Sequence, residues 1–235
     1  MASIVYLIPT VLAEGETACI PNYVLDAVKD CRIFFVENER TARRYLKILW
    51  KEMVIDDYSW YNMKEVNAET ANQFKQAISA GKNIGIISEA GCPGVADPGQ
   101  QLVHMAQQMN VTVKPLVGPN SILLALMASG MNGQNFSFNG YLPIDAGERT
   151  RKIKSLEEIS RRDNSTQIFI ETPYRNNQIL ENLLKACHPQ TRICIAVDLT
   201  SPDELIQTKT IQQWKTASPQ LHKRPAIFLL HAGNQ

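Results

Sequence analysis

Short apolar runs alternate with segments of helical periodicity along the first half of the chain. Ile4–Ile8, Ile33–Val36 and Ile84–Ile87 are continuous apolar runs, typical of strands that are buried on both faces, and Val111–Leu116 favours a further strand. The segments between them place apolar residues at helical spacing, as in Thr41–Leu49 and Ala68–Ala80, and Gly81 suits the position just after the second of these helices. Strands that alternate with helices predict βαβ units and a mostly parallel sheet, so the fold class is α/β. Such sheets bind ligands at the carboxyl ends of their strands.

The second half of the chain repeats this alternation less regularly. Three runs favour strands and two periodic stretches favour helices: Thr166–Ile170, Arg192–Leu199, Ala226–Leu230, Glu148–Arg162 and Asn176–Lys185. Glycines punctuate a loop-rich stretch over residues 133–147. We therefore predict two α/β domains, one over residues 1–116 and the other over residues 117–235.

The composition narrows the class of protein. The hydrophobic share of 44% and the charged share of 20% are those of a globular chain and exclude disorder. Five cysteines without CxxC spacing argue against a zinc site, so we expect no metal and a reducing, cytoplasmic compartment. A signal peptide is not expected, because the start of the chain has no basic residue and only a very short apolar run. A membrane span is not expected, because no apolar run approaches roughly 20 residues. The net charge of +1 means that an RNA partner would need locally grouped basic residues.

The segment Ser88–Gly99, which we name the site loop, is the most informative part of the sequence. It follows a buried strand, precedes a helix, and is longer than the about 2–6 residues of a usual βα connection. Its three glycines and two prolines leave a main chain with few side chains, which a ligand can approach closely. A tight structural turn is the alternative. The carboxylates of Glu89 and Asp97 are candidates to bind an amine or ribose hydroxyls.

The site loop resembles SDAGTPGISDPG, a signature of the ribosomal-RNA methyltransferase branch of the tetrapyrrole methylase family. Further segments resemble motifs of the same branch, in the same order along nearly the whole chain. They are Pro115–Ser121, Ser129–Gly130, Phe136–Pro143 with Gly147–Arg149, Glu171–Arg175 and Asp198–Thr200. An ordered series of this kind is more specific than a single glycine motif.

The resemblance implies two α/β domains with S-adenosylmethionine bound in a cleft between them, and a homodimer. The predicted cofactor-binding residues are Pro9, Ser88, Glu89, Ala90, Gly91, Cys92, Val95, Ala96, Asp97, Gly118, Asn120, Ser121, Ile170, Glu171, Pro225 and Ala226. The resemblance places the main chain of Pro225 and Ala226 against the adenine. Cys92 is expected to pack or to contact the cofactor, because methyl transfer from a sulfonium needs no covalent enzyme intermediate.

Glu171 and Arg175 are the candidate catalytic residues. Glu171 would accept the proton of a nucleophilic hydroxyl and Arg175 would hold a phosphate, whereas an ordinary ion pair is the alternative. Glu37, Arg40 and Arg149 are candidate substrate contacts. The stretch that begins at Glu37 resembles the EDTRHT motif of the RNA branch. Arg40 and Arg149 each begin a basic run, and the alternative is that these runs are only solvated faces of helices.

These features predict an S-adenosylmethionine-dependent methyltransferase that acts on a ribose hydroxyl of ribosomal RNA in the small ribosomal subunit. A methyltransferase of a small molecule such as a tetrapyrrole is one alternative. It is favoured by Asp145, Val197 and Ser201, which stand where the RNA branch has basic residues. A cofactor-binding module without catalysis is the other alternative, because Pro9–Leu12 lacks the glycine that the family carries after its first strand.

Overall fold

The computed structural model describes residues 3–217 and 219–233. The ends of the two predicted domains, residues 1, 2, 234 and 235, lie outside the described residues. The described chain divides into two compact units between Asn120 and Ser121, and each unit contains a five-stranded sheet. The boundary predicted between residues 116 and 117 lies in the segment between the last strand of the first unit and the first helix of the second.

The first unit follows the predicted alternation of strands and helices. Its strands are β1 (Ile4–Leu7), β2 (Ile33–Val36), β3 (Ser59–Asn62), β4 (Ile84–Ile87) and β5 (Thr112–Pro115). Its α-helices are α1 (Tyr23–Asp30), α2 (Glu39–Leu49), α3 (Ala68–Ser79) and α4 (Gly99–Gln108). The strand order is β3-β2-β4-β1-β5 and every pair is parallel. The predicted parallel sheet is therefore confirmed for this half of the chain.

The central strands of this sheet are covered on both faces. On one face Phe34 packs in a buried cluster with Val28 of α1 and Leu46 of α2. On the other face Phe35 belongs to a cluster that includes Phe74 of α3 and Leu102 of α4. This two-sided burial explains the continuous apolar runs in the sequence, because a strand without a solvated face has no polar alternation.

Local sequence signals set the ends of these helices. The side chain of Asn38 accepts hydrogen bonds from the main-chain N–H groups of Arg40 and Thr41, so α2 begins at Glu39, two residues before the predicted start at Thr41. Gly81 has a φ of +67° just after α3. This left-handed conformation confirms the predicted role of Gly81 beyond the helix end.

The second unit contains a mixed sheet. Its strands are β6 (Phe136–Tyr141), β7 (Thr166–Ile170), β8 (Arg192–Val197), β9 (Leu205–Thr210) and β10 (Ala226–His231). Its α-helices are α5 (Ser121–Ser129), α6 (Ala146–Asp163), α7 (Asn176–Ala186) and α8 (Ile211–Trp214). The order is β6-β7-β10-β8-β9, and of its pairs β6–β7 is parallel while the other three are antiparallel.

The expectation of a mostly parallel sheet is wrong for this second unit. The last strand, β10, inserts between β7 and β8 and runs antiparallel to both, and β8 pairs with β9 as an antiparallel neighbour. The core beneath the sheet includes the stacked rings of Phe169 and Phe228, 5.8 Å apart between centroids. None of the helices in the described parts of the chain combines the length and the apolar character needed to cross a membrane.

Candidate functional site

Four neighbouring strands of the first sheet have their carboxyl ends on the same side of the sheet. Because β2, β4, β1 and β5 are adjacent and parallel, the segments that follow them lie side by side. Glu37 follows β2 directly, the site loop follows β4, Pro9 lies just beyond β1, and Gly118 lies just beyond β5. The structure therefore brings together the predicted residues of the first unit at the position where an α/β sheet holds its ligand.

The site loop is closed on itself by the side chain of Asp97. The Asp97 Oδ2 atom accepts from the N–H of Gly94 at 2.8 Å, and Oδ1 accepts from the N–H of Gly99 at 2.7 Å. Burial raises the pKa of this carboxyl group, and the hydrogen bonds from Gly99 and Gly94 oppose the rise. Both oxygens of Asp97 thus bind the loop itself, which gives the residue a structural role within the predicted cofactor site.

Three residues of the site loop have left-handed main-chain conformations. Gly91 and Gly94 have φ values of +71° and +84°, and Ala96 has a φ of +61°. A left-handed alanine is strained, and strain of this kind is concentrated at functional sites. A Cβ atom added to Gly94 would meet nothing within 4 Å, so the main chain there borders open space. The loop therefore exposes its backbone, as the sequence predicts.

The loop that follows β1 and includes Pro9–Leu12, which we name the first loop, is held against the site loop by main-chain contacts. The N–H of Thr10 donates to the Gly91 carbonyl at 2.9 Å, and the Tyr45 hydroxyl donates to the Pro9 carbonyl at 2.7 Å. A Cβ atom added to Gly118 would lie 2.1 Å from the Cβ of Pro9. The close approach between these loops therefore depends on Gly118, although the first loop itself lacks the family's glycine.

Glu37 and Cys92 both hydrogen-bond to main-chain atoms of this edge. The Glu37 Oε2 atom accepts from the N–H of Glu89 at 3.0 Å. The Cys92 thiol lies 3.7 Å from the Gly118 carbonyl oxygen and 3.5 Å from that of Pro119. Burial raises the pKa of Cys92, so the group is a neutral thiol at pH 7. A neutral thiol that donates to carbonyls suits packing and not nucleophilic attack.

Replacement of Cys92 by serine is expected to leave methyl transfer close to the wild-type rate, because a hydroxyl group can donate to the same two carbonyls. Iodoacetamide at neutral pH is expected to modify the wild-type thiol slowly, since only the thiolate reacts. Initial rates of both proteins, with cofactor binding measured in parallel, check this. A large loss of rate in the Cys92→Ser variant with intact cofactor binding would give the thiol a chemical role.

Arg40 and Arg149 differ in accessibility. Arg40 lies in the first turn of α2 and is exposed. Arg149 is only 2% exposed, and its Nη1 atom donates to the carbonyl oxygens of Pro143 and Ile144, at 3.2 and 2.7 Å. The guanidinium group of Arg149 therefore holds the segment before α6, and its contact with a substrate stays a prediction.

In the second unit, Glu171 and Arg175 form a hydrogen-bonded pair at the carboxyl end of β7. Glu171 Oε1 accepts from Arg175 Nη2 at 2.5 Å, from Arg175 Nε at 3.0 Å and from the N–H of Thr172 at 2.6 Å. The Glu171 side chain is fully buried, whereas the Arg175 side chain is 25% exposed. The carboxylate is thus held in one orientation by three donors.

Two buried acceptors of this region have no hydrogen-bond partner among the described residues. They are Oε2 of Glu171 and Oδ1 of Asn176. Asn176 is completely buried, and its Nδ2 atom donates to the Arg224 carbonyl at 2.7 Å. Buried acceptors are normally satisfied, so a pair left open indicates a place for donors from a ligand. Asn176 was not among the residues predicted from the sequence, although it directly follows the motif that ends at Arg175.

Pro225 and Ala226 lie at the start of β10, beside the end of β7. Ile227 pairs with Ile170 in the sheet, and the N–H of Asp198 donates to the Pro225 carbonyl at 3.0 Å. Arg224 Nε donates to Asp198 Oδ2 at 2.6 Å. The structure therefore brings together four predicted residues at one end of the second sheet: Ile170, Glu171, Pro225 and Ala226. Ser121, another predicted residue, is the first residue of α5.

The fold and the site define the class of protein. It is an α/β protein of two units whose parallel sheet carries a glycine-rich loop at the carboxyl end of its strands. The family Tetrapyrrole (Corrin/Porphyrin) Methylases matches residues 15–214, and the chain belongs to this family. Its members are methyltransferases by name.

Two relatives carry the same name, Ribosomal RNA small subunit methyltransferase I. The protein of Vibrio cholerae is 29% identical over 98% of this chain and 77% of its own length. The protein of Mesorhizobium japonicum is 30% identical over 88% of this chain and 67% of its own length. A solved structure, uroporphyrin-III C-methyl transferase from Thermus thermophilus complexed with S-adenyl homocysteine, shares the fold. Its TM-score is 0.56 at 14% identity, over 98% of this chain and 97% of that one.

Proposed function

We propose that this methyltransferase transfers a methyl group from S-adenosylmethionine to a ribose hydroxyl of small-subunit ribosomal RNA. The observation that carries the proposal is the likeness over 98% of the chain to a ribosomal RNA small subunit methyltransferase. A match of that extent includes the site loop and the Glu171–Arg175 segment, and it is not confined to one cofactor motif.

The residues present fit the cofactor. Its sulfonium carries the methyl group in an activated form, which is the chemistry that it supplies when bound. The side-chain-poor site loop, with open space above Gly94, can follow its methionine and ribose part through Gly91, Cys92, Val95 and Ala96. The open acceptor Asn176 Oδ1 suits an N–H or O–H donor of the cofactor's nucleoside. Asn120, Ser121, Pro225 and Ala226 complete the proposed contacts.

The chain's own contribution to the reaction is positioning and proton transfer. Arg175 and the Thr172 N–H hold Oε1 of Glu171, which leaves Oε2 to accept the proton of the attacking ribose hydroxyl. Positioning of the hydroxyl in line with the methyl group provides much of the acceleration in such transfers. A positioned base typically adds about 10²–10⁴-fold.

Cofactor binding is expected to raise the thermal stability of the wild-type protein and to be lost in Gly91→Val. At about a hundredfold excess over its dissociation constant a ligand stabilises the folded state by roughly 2.7 kcal/mol. Gly91 has a φ of +71°, and a Cβ atom there would lie 3.2 Å from the Pro119 carbonyl oxygen, so a branched side chain distorts the loop. Thermal shift and calorimetry measure the effect. Gly133→Val is the control, because a Cβ there meets nothing within 4 Å. An equal shift in all three proteins would contradict the placement.

The acceptor is tested with labelled S-adenosylmethionine and small ribosomal subunits from a strain that lacks this gene. Label in RNA that is lost in Glu171→Gln supports the proposal. RNA binding should weaken with salt, with a log–log slope of about −0.7 for each phosphate contacted on a single strand. Label that enters only a tetrapyrrole, with a flat salt response, would replace RNA by a small molecule as the acceptor.

We further propose that the protein acts in the cytoplasm as a homodimer, on small ribosomal subunits. The motif resemblance supports the dimer, and the cysteine pattern supports a reducing compartment. Light scattering over a concentration series tests the dimer against the 26.4 kDa monomer.

A further inference from the structure

A cavity of about 220 Å³ lies within the first unit, between the first loop, α2 and the start of the site loop. Val11 and Leu12 line it from the first loop, and Ile48 lines it from α2. Glu89 and Ala90 of the site loop form part of its wall. We name this cavity the α2 pocket. It adjoins the proposed cofactor loop, yet no residue of the cofactor set other than Glu89 and Ala90 lines it.

The walls of the α2 pocket combine apolar and polar groups. Ile48 is 45% exposed, which leaves an apolar surface open toward the cavity. Thr17, Thr41 and Glu89 add polar side chains to the same lining. A flat group with apolar faces and hydrogen-bonding edges fits such walls, and a nucleobase is a group of this kind.

One of the residues that line the α2 pocket has a positively charged side chain. Arg44 lines the pocket, and its Nη1 atom lies 2.5 Å from Oε1 of Glu14, which also lines it. Both side chains are largely exposed, at 50% and 77%, so water screens the pair and a stronger anion can displace Glu14. A phosphate is such an anion, because its oxygens match the planar guanidinium group.

Other basic residues of α2 are already engaged. The Arg43 guanidinium lies 5.1 Å from the Trp60 ring centroid and pairs with Glu39. Lys47 donates to the Met53 carbonyl at 3.0 Å. Arg40 is exposed one helical turn before Arg44, on the same face of the helix. Arg44 and Arg40 therefore form the positive edge that α2 offers to an anionic ligand.

We propose that the α2 pocket receives one nucleotide of the RNA substrate, with its base between the apolar walls and its phosphate on Arg44. Glu14 then competes with that phosphate and weakens binding. The inference rests on the proposed function, since it specifies where that RNA is held. It assigns a role in substrate binding to Arg44, Glu14 and Ile48, and none of these residues belongs to the predicted site.

Steady-state methylation of small ribosomal subunits by the full chain tests this inference. Arg44→Ala is expected to raise KM about tenfold, as for the loss of one charge-assisted hydrogen bond, with kcat and cofactor affinity unchanged. Ile48→Trp, which fills the pocket from an exposed position, is expected to raise KM as well. Glu14→Gln is expected to lower KM. Arg162→Ala removes a cation in the second unit that is 73% exposed, against 50% for Arg44, and serves as the control.

The outcomes separate the pocket from the function. If the wild-type protein labels no RNA, the proposed function fails and the pocket assignment fails with it. If the wild-type protein labels RNA and Arg44→Ala and Ile48→Trp keep the wild-type KM, the pocket assignment alone is overturned. If Arg162→Ala raises KM as much as Arg44→Ala does, the loss of one positive charge explains the effect, and the pocket assignment is overturned. A lowered KM in Glu14→Gln, together with raised values in the other two variants, supports the assignment.

Discussion

Gly118→Ala is expected to destabilise the first unit by about 3 kcal/mol, the upper part of the range for overpacking, and to abolish cofactor binding. The added Cβ would lie 2.1 Å from the Cβ of Pro9. Pro9 cannot easily move, because Tyr45 holds its carbonyl and Thr10 is tied to Gly91. The clash is therefore transmitted to the site loop. Denaturant unfolding and calorimetry with S-adenosylmethionine measure the two effects.

A matched control and a rescue make this expectation specific. Gly133→Ala adds the same methyl group where nothing lies within 4 Å, so it should leave stability and binding nearly unchanged. In the Gly118→Ala background, Pro9→Gly removes the atoms that clash and should restore part of the binding. If Gly118→Ala binds the cofactor like the wild-type protein, the contact between Pro9 and Gly118 does not shape the site.

Arg175→Ala is expected to destabilise the second unit by about 3 kcal/mol, because it leaves the buried carboxylate of Glu171 without its charge partner. The Thr172 N–H alone then remains on Oε1. Methyl transfer should fall with the loss of structure. Urea unfolding of the variant and the wild-type protein measures the difference, and a change below about 1 kcal/mol, the level of an exposed pair, would contradict a buried pair.

Glu171→Gln separates the structural role of the pair from its proposed chemistry. Glutamine can still accept from Thr172 and Arg175 but cannot take a proton, so the fold should persist while kcat falls about a hundredfold or more. Cofactor affinity is measured in parallel. A Glu171→Gln variant with wild-type kcat would leave Glu171 as a residue that only positions its neighbours.

The buried parts of the fold could be predicted from the sequence, and three of the four strands at the sheet edges could not. The central strands β2 and β4 appear as continuous apolar runs because both of their faces are covered. The edge strands β3, β6 and β9 had no counterpart among the predicted runs, whereas the edge strand β5 corresponds to the predicted run Val111–Leu116. The residues of the three unpredicted strands are partly exposed, as in Ser59–Asn62, so they lack the apolar run on which the strand predictions depended.

The open main-chain conformation of the site loop could be predicted, whereas the partners of the side chains around it could not. The glycine and proline pattern identified the site loop, because those residue types determine main-chain conformation directly. The hydrogen bonds of Asp97 to its own loop and of Arg149 to the carbonyls of Pro143 and Ile144 depend on how each loop folds. The same applies to Thr10 and Tyr45, which carry no motif and hold the first loop in place.

The closure of the site loop by Asp97 has a consequence for the kinetics of cofactor capture. Because Gly94 and Gly99 are already fixed by one carboxylate, and Gly91 by Thr10, little of this loop remains to be ordered when a ligand arrives. Because such a loop is already ordered in the free protein, its ordering adds no entropic cost to cofactor binding. The association rate should therefore rise linearly with cofactor concentration, without the plateau that a slow loop rearrangement imposes.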